Sequence, residues 1–435
     1  MKPINLIYIH SHDTGRYVQP YGFAIATPHL QQFAEQGVLF RQAHCAAPTC
    51  SPSRAALLTG QTAHNSGMLG LAHRGFVLHD YSQLLSHVLQ SAGYATVLAG
   101  VQHVAKMPFA DPAAELGYEQ IIAYKNEDEI ASHACAFLRE KTELPFFLDV
   151  GFNSTHRRGA AFVDPPQQLG DPRYVRVPAP LPDTPQTRQD MADFMMAAHR
   201  LDQRIGQVLA ALEESGQAEN TLVICTTDHG IAFPGMKCNL TDHGTGVMLM
   251  VRGPGFAGGK VIDALISQID LFPTICEVLN IEKPQWLQGK SLMPLLCGET
   301  EEINDAIFAE VSHHAAYEPK RAVRTQRWKY IRRFSERKTP VLPNIDNSPS
   351  KELWTDHSWT THELSEEVLF DLLFDPNEAN NVAPNSAYAE ILQEMRKRLD
   401  TWMQETSDPL LQGDIPVPPD GITTSVDAYS PDGKW

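Results

Sequence analysis

Apolar and polar positions alternate along most of the chain in two periods. Ile4 to Ile9 is a short continuous apolar run followed by the polar cluster His10-Ser11-His12-Asp13, the pattern of a strand buried on both faces of a parallel sheet, with functional residues at its carboxyl end. Thr27-Pro28 opens a helix over His29 to Gln36, Gly37 closes it, and Val38-Leu39-Phe40 begins the next strand. The spacing predicts helices over Ser82 to Gln90 and Asp128 to Lys141, each followed after a short step by a strand, Ala95 to Ala99 and Pro145 to Val150. Asp164 to Pro185 is rich in proline and reads as a long surface loop. A long helix from about Thr187 to Ser215 carries one apolar stripe through Met191, Phe194, Ala198, Leu201, Ile205, Val208 and Leu212. Thr221 to Thr227 is a second long apolar strand that ends in Asp228-His229, and a strand over Val247 to Val251 and a helix over Ile269 to Leu279 follow.

The character changes after about Glu310. Strand pairs over Arg321 to Thr325 and Trp328 to Arg332, a polar loop from Ser335 to His362, a strand over Val368 to Leu373 and a last helix over Ala387 to Glu405 read as a small α+β unit. We therefore expect an α/β protein: a mostly parallel sheet flanked by helices over residues 1–310, then an α+β subdomain with an antiparallel sheet over 311–435. The tail from Asp414 has no periodicity.

Length adds that 435 residues exceed what one core comfortably supports, in line with two unequal domains. Charge adds that a formal net charge of −17 disfavours nucleic acid, while leaving room for a small anionic substrate drawn in by local cations. No membrane span is expected. The seven cysteines have no zinc spacing and read as reduced thiols, and Met1-Lys2-Pro3 runs straight into the first strand, so a cytoplasmic protein is expected.

The chemistry centres on Cys50-Ser51-Pro52-Ser53-Arg54-Ala55-Ala56-Leu57-Leu58-Thr59-Gly60. The run reads as a short helix with Cys50 at the N-cap, Pro52 in the first turn and Gly60 past the end. Such a start is expected to be exposed, to lower a thiol pKa and to welcome a tetrahedral anion, with Arg54 adding a cation on the same face. Ligands of open α/β sheets sit beyond the carboxyl ends of the strands, so Asp13 and Asp228-His229 should meet in one crevice and there form a metal site. Carboxylates favour Ca²⁺ or Mg²⁺, and the imidazole admits Mn²⁺ or Zn²⁺.

Cys-x-Pro-Ser-Arg followed by Ala-Ala-Leu-Leu-Thr-Gly resembles the signature of the formylglycine-dependent sulfatases, of alkaline-phosphatase-like fold. The resemblance implies that a maturation enzyme oxidises Cys50 to an aldehyde whose hydrate is the nucleophile, and that one divalent ion, calcium first, is held by Asp13, Asp228, His229 and residue 50. It also implies catalytic roles for Arg54, His103, His156 and Lys237. The chain departs from the family pattern at His12, where many members carry a first Asp, and at Val101, where a lysine is usual, with Lys106 as a substitute at another angle. Within the family the likeness is strongest to the sulfamidase branch, the heparan N-sulfatases, through Ala26-Thr27-Pro28-His29-Leu30, His64-Asn65-Ser66-Gly67-Met68, Ser312-His313-His314 and Glu405-Thr406-Ser407-Asp408-Pro409.

The resulting expectation is a metal-dependent sulfatase acting on sulfate esters or sulfamates of a sulfated amino sugar, able to form a homodimer. In that reading Lys237 and the metal hold the sulfate, Arg54 orients the diol and His156 protonates the leaving group. His314, His243 and the aromatic loop with Trp354, His357 and Trp359 are candidates for reading the sugar. Two rivals stand beside it: a phosphonate monoester or phosphodiester hydrolase, which the single acid at Asp13 favours slightly, and a non-catalytic sulfoglycan-binding protein, which would be expected to lose Cys50 or Arg54.

Overall fold

The computed structural model describes residues 3–106, 111–140, 143–163 and 170–433. The first strands are β1 (Asn5–Ser11), β2 (Val38–His44), β3 (Ala95–Gly100), β4 (Gln120–Ile122) and β5 (Phe146–Gly151). The chain then makes a two-residue ribbon, β6 (Arg157–Arg158) with β7 (Ala161–Phe162), and β8 (Thr221–Thr227), β9 (Leu249–Arg252) and β10 (Lys260–Ser267). Apart from the ribbon these form an eight-stranded sheet ordered β10-β2-β9-β8-β1-β5-β3-β4. All pairings are parallel except those of β9, which runs antiparallel to both β2 and β8. β1 and β8 are fully buried, which explains why neither alternates in polarity. One apolar cluster on each face of the sheet, one around Phe40, Leu57 and Phe272 and the other around Phe33, Ile130 and Leu201, forms the core.

A second sheet, antiparallel and ordered β11-β12-β13-β14, is built from β11 (Ile307–His313), β12 (Tyr317–Arg324), β13 (Trp328–Arg333) and β14 (Glu367–Asp371). The Ala389–Glu405 helix packs on it through Leu392, Met395, Leu399 and Trp402. The boundary expected at 310 falls inside β11. The expected polar loop over 335–362 contains a helix, Pro349–Asp356, capped by the Ser348 side chain; its half-buried apolar positions are too few to mark a stripe. The proline-rich loop expected over 164–185 lies partly outside the described residues, and from Pro185 onwards it is the start of the long helix, Pro185–Glu214. The C-terminal tail crosses the join between the sheets: Ile422 N donates to Arg74 O and Thr424 N to Ala315 O. Among the described residues no helix is long and apolar enough to cross a membrane.

Candidate active site

β1 and β8 pair in register to Ser11 and Thr227, so His12-Asp13 and Asp228-His229 leave the sheet side by side. Their backbones are locked together. Asp13 takes a left-handed conformation (φ 53°) and donates its N–H to Asp228 Oδ1 at 2.8 Å, and His229 N donates to the same oxygen at 2.9 Å. Gly230 follows because His243 O lies where a Cβ would project, 2.0 Å away.

The Cys50–Thr59 helix brings its first turn to this edge. Its N-cap is Thr49, in extended conformation, and Cys50 is the first helical residue, one position later than the sequence reading placed it. Its beginning is also enclosed where exposure was expected: Ser53 Oγ donates to Asp228 O at 2.5 Å, Cys238 N donates to Pro48 O, and Cys50 is 1% exposed. Burial consequently pushes the Cys50 thiol well above its ordinary pKa, and Lys237 and Arg54 offset this only in part. The expected lowered thiol pKa does not hold, because desolvation outweighs the helix terminus and the two cations.

Arg54 is fixed on three sides. Its Nη2 donates to Ser11 O at 2.8 Å and to Asp228 Oδ2 at 3.0 Å, and its Nη1 to His10 Nδ1. An arginine only donates, so His10 carries its proton on Nε2 and passes it to Asp149 Oδ1 at 2.9 Å. Burial acts to raise the Asp228 carboxyl, yet the charged groups around it, the fixed Arg54 guanidinium among them, hold it well below the usual carboxylate range.

Beside the thiol two acceptors, one from Asp13 and one from His229, face each other. His229 Nδ1 lies 3.0 Å from Gly230 O, which only accepts, so this nitrogen carries a proton, and in the neutral ring Nε2 presents a lone pair. That Nε2 accepts from the Cys50 S–H at 3.5 Å and lies 3.3 Å from Asp13 Oδ1, which is buried without a hydrogen-bond donor among the described residues. Two facing lone pairs repel unless a cation lies between them, so the donor set fits a metal ion. His12, Asp13, Cys50 and Asp228 place ligand atoms within 4.8 Å of one another, which puts His12 in the donor cluster.

Lys237 closes one side, with Nζ 3.0 Å from both Asp13 Oδ2 and Asp346 Oδ2. His156 Nδ1 is 3.6 Å from Asp13 Oδ2. The loop that presents His156 is organised by buried Glu127, which accepts from Asn153 N and Nδ2 and from Ser154 N and Oγ at 2.8–3.1 Å. His103, also left-handed (φ 56°), stands 5.4 Å from the His12 ring and stacks on His73 at 5.4 Å. Val101 brings no cation, and Lys106 is exposed.

His314 is buried against Lys237 and Asp346, and burial with the Lys237 charge drives its pKa well below the usual imidazole value, leaving it neutral. His243 is elsewhere: its Nδ1 meets Tyr17 Oη at 3.2 Å in a cleft of about 680 Å³ shared with Arg16, Phe23 and Asn377. Trp354 and Trp359 pack edge to face at 4.4 Å and line a groove of about 880 Å³ with Pro180 and His357. Sequence reasoning missed Asp346, Glu127 and His73 and gave His10 no role of its own. Asp346 sits in the aperiodic 335–362 stretch, and the others have partners far along the chain, so no local spacing announces them.

The sulfatase family model matches residues 4–281, and a model of the C-terminal part of N-sulphoglucosamine sulphohydrolase matches residues 237–355. The chain belongs to the sulfatase family. It is 31% identical over 474 aligned residues to human N-sulphoglucosamine sulphohydrolase, covering 97% of this chain and 93% of that one. Two solved structures share its fold at 19% identity. One is of a protein in complex with its substrate D-glucosamine-2-N,6-O-disulfate (TM-score 0.73, 94% of this chain and 99% of that one). The other is a phosphonate monoester hydrolase from Silicibacter pomeroyi (TM-score 0.73, 97% and 98%). Fold alone therefore does not separate the two chemistries. Membership makes the sulfatase a hydrolase of sulfuric esters or sulfamates, which sets aside the rival reading of a non-catalytic binding protein.

Proposed function

We propose that this sulfatase removes sulfate from the nitrogen or an oxygen of a small sulfated amino sugar, using formylglycine made from Cys50 by a maturation enzyme and one calcium ion. The observation that carries the reading is the facing of Asp13 Oδ1, His229 Nε2 and Cys50 Sγ in one buried pocket with Lys237 beside them. Asp13, Asp228 and His229 would hold the ion, with residue 50 and His12 beside it. In the mature enzyme the aldehyde hydrate supplies the nucleophile, and the ion supplies positive charge to the sulfate oxygens.

The chain's own residues do the rest. Arg54, immobilised by Ser11 O, Asp228 and His10, keeps a fixed cation beside residue 50. Lys237 shares its charge between Asp13 and Asp346, so an arriving sulfate oxygen can replace a carboxylate contact without a move of the chain. His156, partly exposed, is placed to protonate the leaving nitrogen or oxygen. Asp346 and neutral His314, from the C-terminal part, form the wall that meets the sugar, where a carboxylate accepts from hydroxyl or amino groups. The 31% likeness to the human sulphohydrolase over nearly the whole chain favours N-linked sulfate as the first substrate to try.

The test is sulfate release from N-sulfoglucosamine, an O-sulfated glucosamine and a phosphonate monoester by the mature, calcium-loaded protein. Turnover of either amino sugar is expected to exceed that of the phosphonate ester. Efficient phosphonate cleavage with no sulfate release would overturn the reading.

A further inference from the structure

Two sets of ligand atoms overlap at the bottom of the pocket. One is oxygen-rich, Asp13 and Asp228 with His12 and Cys50; the other is made of nitrogen and sulfur only, His12, His103 and Cys50. In each set the ligand atoms lie within 4.8 Å of one another. We propose that, while Cys50 is still a thiol, it forms with His12 and His103 a second, soft site for a zinc-class ion, and that oxidation of Cys50 to the aldehyde abolishes this site.

The imidazoles are set up for it. His12 Nδ1 lies 3.0 Å from Asp228 Oδ2, a carboxylate that holds the ring beside the pocket. His103 is held in a left-handed backbone conformation and has a buried Nδ1 without a partner. Two imidazoles and a thiolate make three of the four ligands of a tetrahedral zinc site, and water from the open side of the pocket is the fourth. On binding, the Cys50 S–H bond breaks, a Zn–S bond forms and the proton leaves to solvent, which the ion's charge makes favourable even for a buried thiol. The aldehyde carries no sulfur, so only the harder set remains, suited to calcium or magnesium. Maturation would thereby change the metal preference of the pocket as well as install the nucleophile. This rests on the metal reading of the site and is independent of the sugar substrate.

The experiment uses full-length protein from a host without the maturation enzyme beside mature protein, each stripped of metal. Co²⁺ is added and near-ultraviolet absorption followed, and Zn²⁺ affinity is measured by competition with a chromophoric chelator. Unmodified protein is expected to bind one Zn²⁺ per chain and to show a thiolate-to-cobalt charge-transfer band that mature protein and Cys50→Ser both lack. His103→Gln is expected to weaken Zn²⁺ at least about tenfold while leaving Ca²⁺ binding to mature protein unchanged. If His103→Gln does not fold, the comparison of unmodified, mature and Cys50→Ser protein decides alone. Absence of the band in folded unmodified protein, or equal Zn²⁺ affinity with and without the thiol, would overturn the proposal.

Discussion

Two of the buried clusters of charge differ in what faces their carboxylates. Around Asp242, at the join of the two sheets, opposite charges meet: Arg324 Nη2 lies 3.1 Å from Oδ2, and Lys329 Nζ bonds Oδ1. Glu378 accepts the Asp242 N–H, and Arg16 donates to His44 Nε2 at 2.8 Å. Around Cys50 an Asp13 oxygen and a His229 lone pair face each other 3.3 Å apart. In the first cluster each carboxylate faces a cation, Glu378 Oε1 lying 3.4 Å from Lys329 Nζ, and the cluster fastens the two sheets together; in the second, Asp13 Oδ1 faces a ring nitrogen, an arrangement that a bound cation would complete. Both clusters are buried and charged, so what each carboxylate faces, a cation or another acceptor, is what separates structural ion pairs from a site.

Substitutions can break this contrast. The largest effect belongs to Cys50→Ala, which removes the nucleophile: kcat/KM for sulfate release is expected to fall by at least about 10⁴-fold with the melting temperature nearly unchanged. Asp228→Ala, assayed for bound calcium and for rate, is expected to lose the ion and about 10³-fold in rate, since it removes a ligand and frees Arg54 together. In the other cluster the result inverts. Lys329→Met leaves Asp242 and Glu378 short of a cation in a buried setting, so denaturant unfolding is expected to show a loss of about 3–5 kcal/mol while the folded fraction keeps its kcat.

Asp346→Asn probes the border between the two kinds of residue. A weaker acceptor for sugar hydroxyls should lower kcat/KM for N-sulfoglucosamine about 10–100-fold and that for a small aryl sulfate much less. Equal losses on both substrates would assign Asp346 to Lys237 alone. The smallest effect is on pH. Burial, with Asp242 adding to it, raises the Glu378 carboxyl from 4.5 to about 7 although Lys329 opposes the shift. Its folded pKa lies above its unfolded one, so the folded protein binds more protons between these values. Stability from this group is therefore full below the lower pKa and is lost as pH rises through the upper one. Thermal melts should fall by a few degrees across that window, and Glu378→Gln should flatten the slope.

The sheet was legible because its central strands are continuous apolar runs ending in polar pairs, and the Cys50 helix because its turn residues are local signals. Asp13, Asp228, His229, Cys50, Arg54 and Lys237 were legible from motif and strand-end position, and the structure brings them together. Edge strand β10 was missed because its burial switches midway from exposed to buried, so no single period runs through it. Asp346 and Glu127 were hidden because their roles come from contacts with residues far away in sequence, Lys237 for one and Ser154 for the other. His243 was misplaced by its nearness in sequence to Asp228-His229: the chain turns at Gly230 and returns on the other side of that loop.

The central claim, that the facing acceptors of Asp13 and His229 beside Cys50 are a cation site on which sulfate release depends, is tested most directly by measuring bound metal and activity on one sample. Mature protein is assayed for divalent ions by mass spectrometry and for sulfate release from N-sulfoglucosamine, before chelation, after it, and after calcium is returned. The account predicts one ion per chain, loss of ion and activity together, and recovery of both. Full sulfate release by protein freed of divalent ions would contradict it.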